Sequence, residues 1–323
     1  MNRRAILQHQ RLLRNLNERF ASGDYYQAHQ SYRIIVVRLV HEEKFSEAYD
    51  LLYEGAIKLL EVGRDNEGND LALFLVDIMN HLDSANQLKH SEEELIHNIR
   101  VLFENIKPNS PERIELVTKS LSIPFLSSAA IRKQFAEVLW KEKRFAESRL
   151  HFLYSCDTGD NCGLMLVEYQ TTSAYSSEVD LMIAQFVLQV LCTENKQLAK
   201  SVFCFYTLNH PQIRCSKPPF MMPLLNFICF LLSAIDKFSG KDNVFNILCT
   251  HYEKSLSRDP CYKDYLTQIG QIYFGQEKKS KQGGLFSNLF QSIFDVKEDS
   301  TSPEPTNSIN VSESIRNQDV DLD

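Results

Sequence analysis

The charged side chains with the most suggestive spacing lie in the first 80 residues. His29 and Arg33 stand four residues apart, and Asp70 and Asp77 stand seven apart, which places each pair on one face of a helix. Charged side chains that share a helix face in this way are suited to binding a charged partner. Two plainer interpretations stay open: solvated or capping groups for His29 and Arg33, and a helix-start carboxylate at Asp70 with a solvated Asp77.

No motif for catalysis or for a cofactor is present in the sequence. There is no HExxH, GxSxG, kinase or deaminase signature, no Gly-rich phosphate loop, and no His pair at metal-ligand spacing with a third ligand nearby. Residues 157–161 resemble part of a calcium loop but lack its twelfth-position Glu, so a helix-connecting loop is expected. The eight cysteines form neither CxxC nor a zinc spacing, and we interpret them as reduced thiols of a cytosolic protein.

Composition and charge favour a helical chain that binds other proteins. The 323 residues include 11 Gly and 10 Pro, too few turn residues for an all-β chain of this length. Residues 1–19 carry five arginines against one acid, a net +4, and residues 295–323 carry eight acids against two bases, a net −6. The near-neutral body between them argues against nucleic acid as a partner. The basic N-terminal segment suits an acidic protein surface instead.

A recurring five-residue pattern predicts the fold. Residues 24–28, 44–48 and 144–148 each read polar, aromatic, any residue, Gln or Glu, then small. At the corner of a helical hairpin the aromatic ring fills the gap between the helices, and the small residue lets the partner helix approach. The spacing lacks the steady period of about 34 residues of regular tetratricopeptide repeats. We therefore predict an all-α fold, an irregular tetratricopeptide-like α-solenoid of helical hairpins.

The sequence also predicts the domain organisation. The α-solenoid is expected over residues 1–278, followed over 279–323 by a linker, a short amphipathic segment and a disordered acidic tail. The apolar residues of segment 285–294 recur on one helical face. This segment is expected either to dock on the solenoid or to fit the groove of a partner. Membrane-surface binding is less suited to it, because its opposite face carries no cations.

One apolar run in the C-terminal half has two interpretations. Residues 220–235 are interrupted by Pro223 and Asn226, so they are poorly suited to span a bilayer, and direct membrane insertion is not expected. From Leu224 onward the run is hydrophobic on all sides. It is therefore either a central helix of the solenoid or a surface covered by a bound partner.

Several blocks of sequence, taken together, resemble one known family. They occur in order over roughly residues 20–285. The blocks are 23–30, 53–56, 140–143, 147–153, 165–169, 218–220, 223–227, 259–262 and 269–275. The chain resembles the Golgi-to-ER traffic protein family, the adaptor (transmembrane recognition complex) subunit of the pathway for guided entry of tail-anchored proteins. The resemblance implies an all-helical solenoid without enzymatic activity.

The family resemblance also implies two binding surfaces. The first half, about 1–150, is expected to face the targeting ATPase that carries tail-anchored proteins to the endoplasmic reticulum. The second half, about 151–278, is expected to hold a ubiquitin-like protein that recruits the substrate-loaded co-chaperone. In animals the family also joins a complex with a BAG-domain ubiquitin-like chaperone scaffold.

The site residues follow from this resemblance together with the spacing above. The basic contacts to the ATPase fall on Arg11 and Arg14, with Asn15 at a position where the family has a basic residue. The acidic regulatory contacts fall on Asp70 and Asp77. The full ATPase set is Arg11, Arg14, His29, Arg33, Asp70 and Asp77, and the ubiquitin-like-partner set is Phe220, Leu224, Phe227, Phe230, Leu231 and Tyr273.

Two other classes of protein are alternatives to an adaptor. A solenoid subunit of a proteasome-lid or signalosome-like assembly shares helical hairpins but usually ends in a strand-rich winged-helix module, and nothing after Tyr262 alternates like strands. A hydrolase built on an α-solenoid would need a nucleophile and a base, and the sequence signals neither. The adaptor is the favoured interpretation.

Overall fold

Helices account for all regular structure in the part of the chain that the computed structural model describes, residues 3–215 and 217–276. These residues belong to one unit of the chain, Met1–Gln276. The first eight helices are α1 Arg3–Ala21, α2 Tyr25–His41, α3 Phe45–Glu61, α4 Asp65–Asn80, α5 Glu92–Asn105, α6 Pro111–Leu121, α7 Ser128–Lys141 and α8 Phe145–Leu153. The remaining seven are α9 Asp160–Ser173, α10 Val179–Cys192, α11 Lys196–Asn209, α12 Pro223–Lys237, α13 Asp242–His251, α14 Glu253–Leu256 and α15 Tyr262–Phe274. The prediction of an all-α solenoid is confirmed.

The helical corners have a common backbone geometry. A residue in the left-handed region precedes the first residue of each five-residue pattern: Gly23, Glu43 and Lys143, with φ between 58° and 80°. The backbone N–H of the next residue donates a hydrogen bond to the carbonyl five residues before it. A carbonyl at the C-terminal end of the preceding helix thereby gains a partner. Gly63 has the same conformation at the start of α4. The chain therefore has a fourth corner, at 64–68, which the sequence pattern missed because no aromatic residue marks it.

The small residues of the corners allow the neighbouring helix to approach closely, as the pattern predicts. Ala28, Ala48 and Ser148 are fully buried, and the Ser148 hydroxyl donates to the carbonyl of Ala136 at 2.8 Å. At the fourth corner the small residue is Gly68. A Cβ placed there would lie 2.7 Å from the Leu60 side chain, so the close approach of α3 and α4 requires glycine.

Each helix packs mainly on helices that are close to it in the sequence, except the last helix, α15. Contacts run through α1–α2, α2–α3, α3–α4, α4–α6, α5–α7, α7–α8, α9–α11, α10–α11, α10–α12 and α12–α13. The last helix packs back against α10 and α13. Consequently α10 is nearly all core, with Ile183, Phe186 and Val187 fully buried.

Helix α12 corrects one sequence interpretation. It is not apolar on all sides: eight of its side chains are buried, while Phe230, Ser233 and Lys237 form a narrow exposed stripe. It is a core helix with one accessible edge.

Among the described residues, none of the helices is long and apolar enough to cross a membrane. The amphipathic segment 285–294 and the acidic tail lie outside the described residues.

Candidate protein-binding sites

Asp70 of α4 joins two basic side chains of α2. His29 Nε2 lies 2.7 Å from Asp70 Oδ2, and the Arg33 guanidinium donates to Asp70 Oδ1 at 2.7 Å and to Oδ2 at 2.6 Å. The Arg33 guanidinium also lies over the ring of Phe74, 5.3 Å from its centre. The structure thus brings together three of the six predicted ATPase-binding residues, and we call His29, Arg33 and Asp70 the charged cluster.

The charged cluster is partly open to solvent and electrostatically satisfied. The Asp70 side chain is 39% exposed and that of His29 is 10% exposed. Burial alone would raise the pKa of Asp70, but the hydrogen bonds from His29 and Arg33 outweigh it and hold the pKa below its usual value. Because α4 begins at Asp65, Asp70 is not a helix-start carboxylate, and that plainer interpretation is wrong.

Asp77 is paired on a different neighbouring helix. Lys119 of α6 lies 2.8 Å from Asp77 Oδ1 and 2.8 Å from Glu115 Oε1. Burial alone would lower the pKa of Lys119, but its two carboxylate partners outweigh burial and raise it. Asp77 is therefore tied to α6, not solvated alone, while Asp70 is tied to α2. The two predicted regulatory carboxylates are both engaged within the solenoid.

Arg11 and Arg14 differ from the charged cluster in having free guanidinium groups. Both are exposed on α1, as is Asn15, and neither forms an ion pair within the described residues. Arg19 of the same helix instead donates to the Ser31 hydroxyl at 2.7 Å and is used inside the fold. The two predicted basic contacts are therefore available to an acidic partner.

The predicted partner set in the C-terminal half divides into core and surface. Leu224, Phe227 and Leu231 are fully buried, and Phe220 is 7% exposed against Phe203 of α11. These four side chains fill the interior between helices and offer little surface, while their contact with a partner stays a prediction. The other two residues reach the surface: Phe230 is 47% exposed, and Tyr273 is half-buried with its hydroxyl donating to the Leu191 carbonyl at 3.2 Å.

An apolar groove lies between α12 and α13, with Phe230 on one of its walls. Its volume is about 480 Å³. Among its lining residues, Phe238 is 39% exposed and Ile247 is 68% exposed. The apolar lining is Phe230, Ala234, Phe238, Val244, Ile247, Leu248 and Tyr252. We call this feature the apolar groove.

Sequence reasoning missed the α13 wall of the apolar groove. Val244, Ile247 and Leu248 follow the i, i+3, i+4 spacing of an apolar helical stripe, and this spacing could have identified it. The stripe is short because α13 has ten residues. Phe245 of the same helix points inward and is 3% exposed, which places the other three at the edge of the groove.

In the part of the chain that the structure describes, stacked helical hairpins that leave a charged cluster and an apolar groove accessible define an α-helical repeat protein. The family model described as Golgi to ER traffic protein 4 matches residues 42–294. The chain is 41% identical over 296 residues to the human Golgi to ER traffic protein 4 homolog, covering 90% of this chain and 88% of that one. It is 42% identical to homolog A of Xenopus laevis, covering 90% and 89%. The protein belongs to the Golgi to ER traffic protein 4 family.

A solved structure supports the same fold. The crystal structure of C. therm. Get4 superimposes with a TM-score of 0.72, covering 92% of this chain and all of that one. At 21% sequence identity, this similarity extends the all-α solenoid to a distant relative. The role in Golgi-to-ER traffic follows from membership of the family.

Proposed function

We propose that this protein is a cytosolic, non-enzymatic adaptor in the delivery of tail-anchored membrane proteins to the endoplasmic reticulum. It bridges a targeting ATPase, bound by the N-terminal half, and a ubiquitin-like protein, bound by the C-terminal half. The observation that carries the proposal is the separation of two chemically different surfaces. The charged cluster lies on α2 and α4, and the apolar groove lies on α12 and α13.

The N-terminal surface supports an ionic contact with the ATPase. Arg11 and Arg14, which form no ion pair within the described residues, suit carboxylates on that partner. Asp70 suits a basic group, but a partner cation must compete with Arg33 for the same two oxygens. Such a contact exchanges one ion pair for another, so it adds little affinity and is suited to regulation. This fits the regulatory role that the resemblance assigns to Asp70.

The C-terminal surface supports a contact of the opposite kind. The apolar groove exposes Phe230, Phe238 and Ile247 side by side, and burying them removes apolar surface from water at about 25 cal/mol per Å². An amphipathic element of the ubiquitin-like partner would fit between α12 and α13. A BAG-domain scaffold that offers an element of the same kind would compete for this groove.

The bridging function is tested by separating the two contacts in the full-length chain. The tagged protein is purified with its bound proteins, and these are identified. Arg11→Glu with Arg14→Glu is expected to lose the ATPase and keep the ubiquitin-like protein, whereas Ile247→Asp is expected to do the reverse. Loss of both partners in either variant, or of neither, would contradict two independent surfaces.

The regulatory role of Asp77 has its own test. Asp77→Asn removes one of the two carboxylate partners of Lys119 without adding charge repulsion. We expect ATPase affinity to stay within a few-fold while the nucleotide hydrolysis rate of the saturated complex changes. Glu115→Asn, which removes the other carboxylate at Lys119, is the matched control. An unchanged hydrolysis rate for Asp77→Asn would contradict the role.

A further inference from the structure

The described part of the chain ends against α13, the helix that forms one wall of the apolar groove. Gln276 follows α15, and its side-chain amide donates to Asp242 Oδ1 at 2.5 Å and to Asn246 Oδ1 at 2.9 Å, both on α13. A Cβ on Gly270 would lie 2.3 Å from Gln276 Oε1, so glycine at this position of α15 makes room for that side chain. The point from which residues 277–323 continue is therefore held on α13.

From that point the groove is within reach of segment 285–294. Eight residues, 277–284, separate the segment from Gln276, and they span up to about 26–29 Å when extended. The two residues of α13 that bind Gln276 do not share a helix face with Ile247, so the chain has to pass around the helix. Half the circumference of a helix with its side chains is roughly 17 Å. The connection is therefore long enough.

The segment suits the apolar groove in chemistry and in length. Its apolar side chains recur at positions that share one helical face: Leu285, Phe286, Leu289, Phe290, Ile293 and Phe294. As a helix, its ten residues would be about 15 Å long, which is also the length of the ten-residue α13 wall. Such a helix would remove the exposed groove residues Phe230, Phe238 and Ile247 from water.

The charges at the rim of the groove are opposite to those that follow the segment. Lys237 lines the groove, and the Lys241 ammonium lies 5.5 Å from the centre of the Phe238 ring. Both lysines are exposed, and neither forms an ion pair within the described residues. Residues 295–323, directly after the segment, carry a net charge of −6. Placing the segment in the groove would bring this negative charge towards the two lysines.

We propose that segment 285–294 covers the apolar groove of its own chain and is displaced when a partner binds there. The effect on the ubiquitin-like partner rests on the proposed function, whereas the cover itself does not. A short flexible linker gives a tethered segment an effective concentration on the order of 1 mM. Even a weak segment, with a dissociation constant of about 0.1 mM, then occupies the groove about nine-tenths of the time. It lowers the apparent affinity of a competing partner about tenfold.

Hydrogen exchange of the full-length protein without any partner tests the cover. Mass spectrometry follows the backbone amides of residues 285–294 in the wild type and in Ile247→Asp, which places a charge in the groove. We expect these amides to exchange about tenfold more slowly in the wild type. Ile114→Asp is the matched control, because Ile114 on α6 is also 68% exposed, and it should keep the protection of the wild type.

Reciprocal substitutions in the segment test the cover from the other side. Phe286→Asp with Phe290→Asp removes two side chains of the apolar face, whereas Ser287→Asp with Gln291→Asp adds the same charge on the polar face. We expect only the first variant to bind more of a dye for exposed apolar surface. By titration calorimetry it should also bind the ubiquitin-like partner about tenfold more tightly than the wild type.

Three results would overturn the proposal. They are equally fast exchange of residues 285–294 in the wild type and in Ile247→Asp, an equal loss of protection in Ile114→Asp, and protection that rises with protein concentration. The last would assign the segment to the groove of a second copy of the chain. Protection that depends on Ile247, with unchanged partner affinity in the Phe286→Asp, Phe290→Asp variant, would support the cover. It would instead contradict the ubiquitin-like protein as the partner of the groove.

Discussion

The charged cluster and the apolar groove differ in whether their exposed groups already have partners within the chain. In the cluster, Asp70 already holds Arg33 and His29, so each charge is satisfied before any partner arrives. In the groove, Phe238 and Ile247 remain exposed, and nothing among the described residues covers them. The cluster can exchange partners at little net cost, whereas the groove gains free energy when it is filled.

This difference predicts how each contact responds to conditions. Ionic contacts between exposed groups weaken as salt rises, since the screening length falls to about 10 Å at 0.1 M ionic strength. Burial of apolar surface is far less sensitive to salt. A bridging scaffold with both would hold one partner persistently and release the other readily. The following predictions test this contrast, beginning with the largest expected effect.

The first prediction separates the core face of α12 from its groove face. Phe227 is fully buried and Phe230 is 47% exposed on the same helix. We expect Phe227→Ala to lower the free energy of unfolding by about 3–5 kcal/mol through the cavity it leaves. Phe230→Ala should cost about 1 kcal/mol or less, because it removes little buried surface. Urea denaturation of both variants measures the difference, and equal losses would mean that Phe230 belongs to the core.

The second prediction concerns affinity for the ubiquitin-like partner. Ile247 on the groove wall and Ile114 on α6 are each 68% exposed, so they form a matched pair. Ile247→Asp is expected to weaken binding by about 2–3 kcal/mol, roughly 30- to 150-fold, since it places a charge in a contact that must lose its water. Ile114→Asp should leave the affinity unchanged.

Titration calorimetry at low and high salt completes this test. The wild-type affinity is expected to change little with salt, because apolar burial drives it. A loss as large for Ile114→Asp as for Ile247→Asp would place the partner outside the apolar groove.

The hairpin corners were predictable because their signal is local. An aromatic residue and a small residue three positions apart fix the geometry of one turn, as at Phe45 and Ala48. The return of α15 onto α10 was not predictable, since it depends on contacts such as Gln189 to Tyr265, which are 76 residues apart. Periodicity alone cannot say which neighbour a helix will meet.

The candidate sites were predicted to different degrees for the same reason. Asp70, His29 and Arg33 stand out by charge, and the structure brings them together. In α12 nearly every side chain is apolar, so sequence could not separate buried Phe227 from exposed Phe230. That distinction is made by the helices that pack on α12, which are α10, α11, α13 and α14.

The third prediction concerns the ATPase contact through α1. Arg11→Glu with Arg14→Glu is expected to weaken ATPase binding about tenfold or more at low salt. Each exposed ionic contact contributes about 1 kcal/mol or less, and reversing a charge doubles the loss because repulsion replaces the attraction. The variant should also lose less affinity than the wild type as salt is added, because fewer attractive charges remain to be screened.

Calorimetric titration across a salt series measures both effects of the α1 substitutions. The control is Arg214→Glu with Lys217→Glu, which changes the net charge equally at exposed positions of the C-terminal half. An unchanged low-salt affinity for the α1 variant, or an equal loss for the control, would contradict the contact.

The smallest expected effect is the stability that the charged cluster itself contributes. Because the folded pKa of Asp70 lies below its unfolded value, its ion pairs stabilise the protein above the unfolded pKa, near 4. This contribution is lost as the pH falls through the folded pKa. We expect Asp70→Asn to cost about 1 kcal/mol or less at pH 7, since the carboxylate is more than one-third exposed. The wild type and the variant should then converge progressively in stability as the pH falls from about 4 through the folded pKa, while Asp83→Asn, an exposed control, should follow the wild type throughout. Urea denaturation across the pH range measures this, and a difference that does not shrink as the pH falls below the unfolded pKa would mean that packing, not charge, ties α2 to α4 at this point.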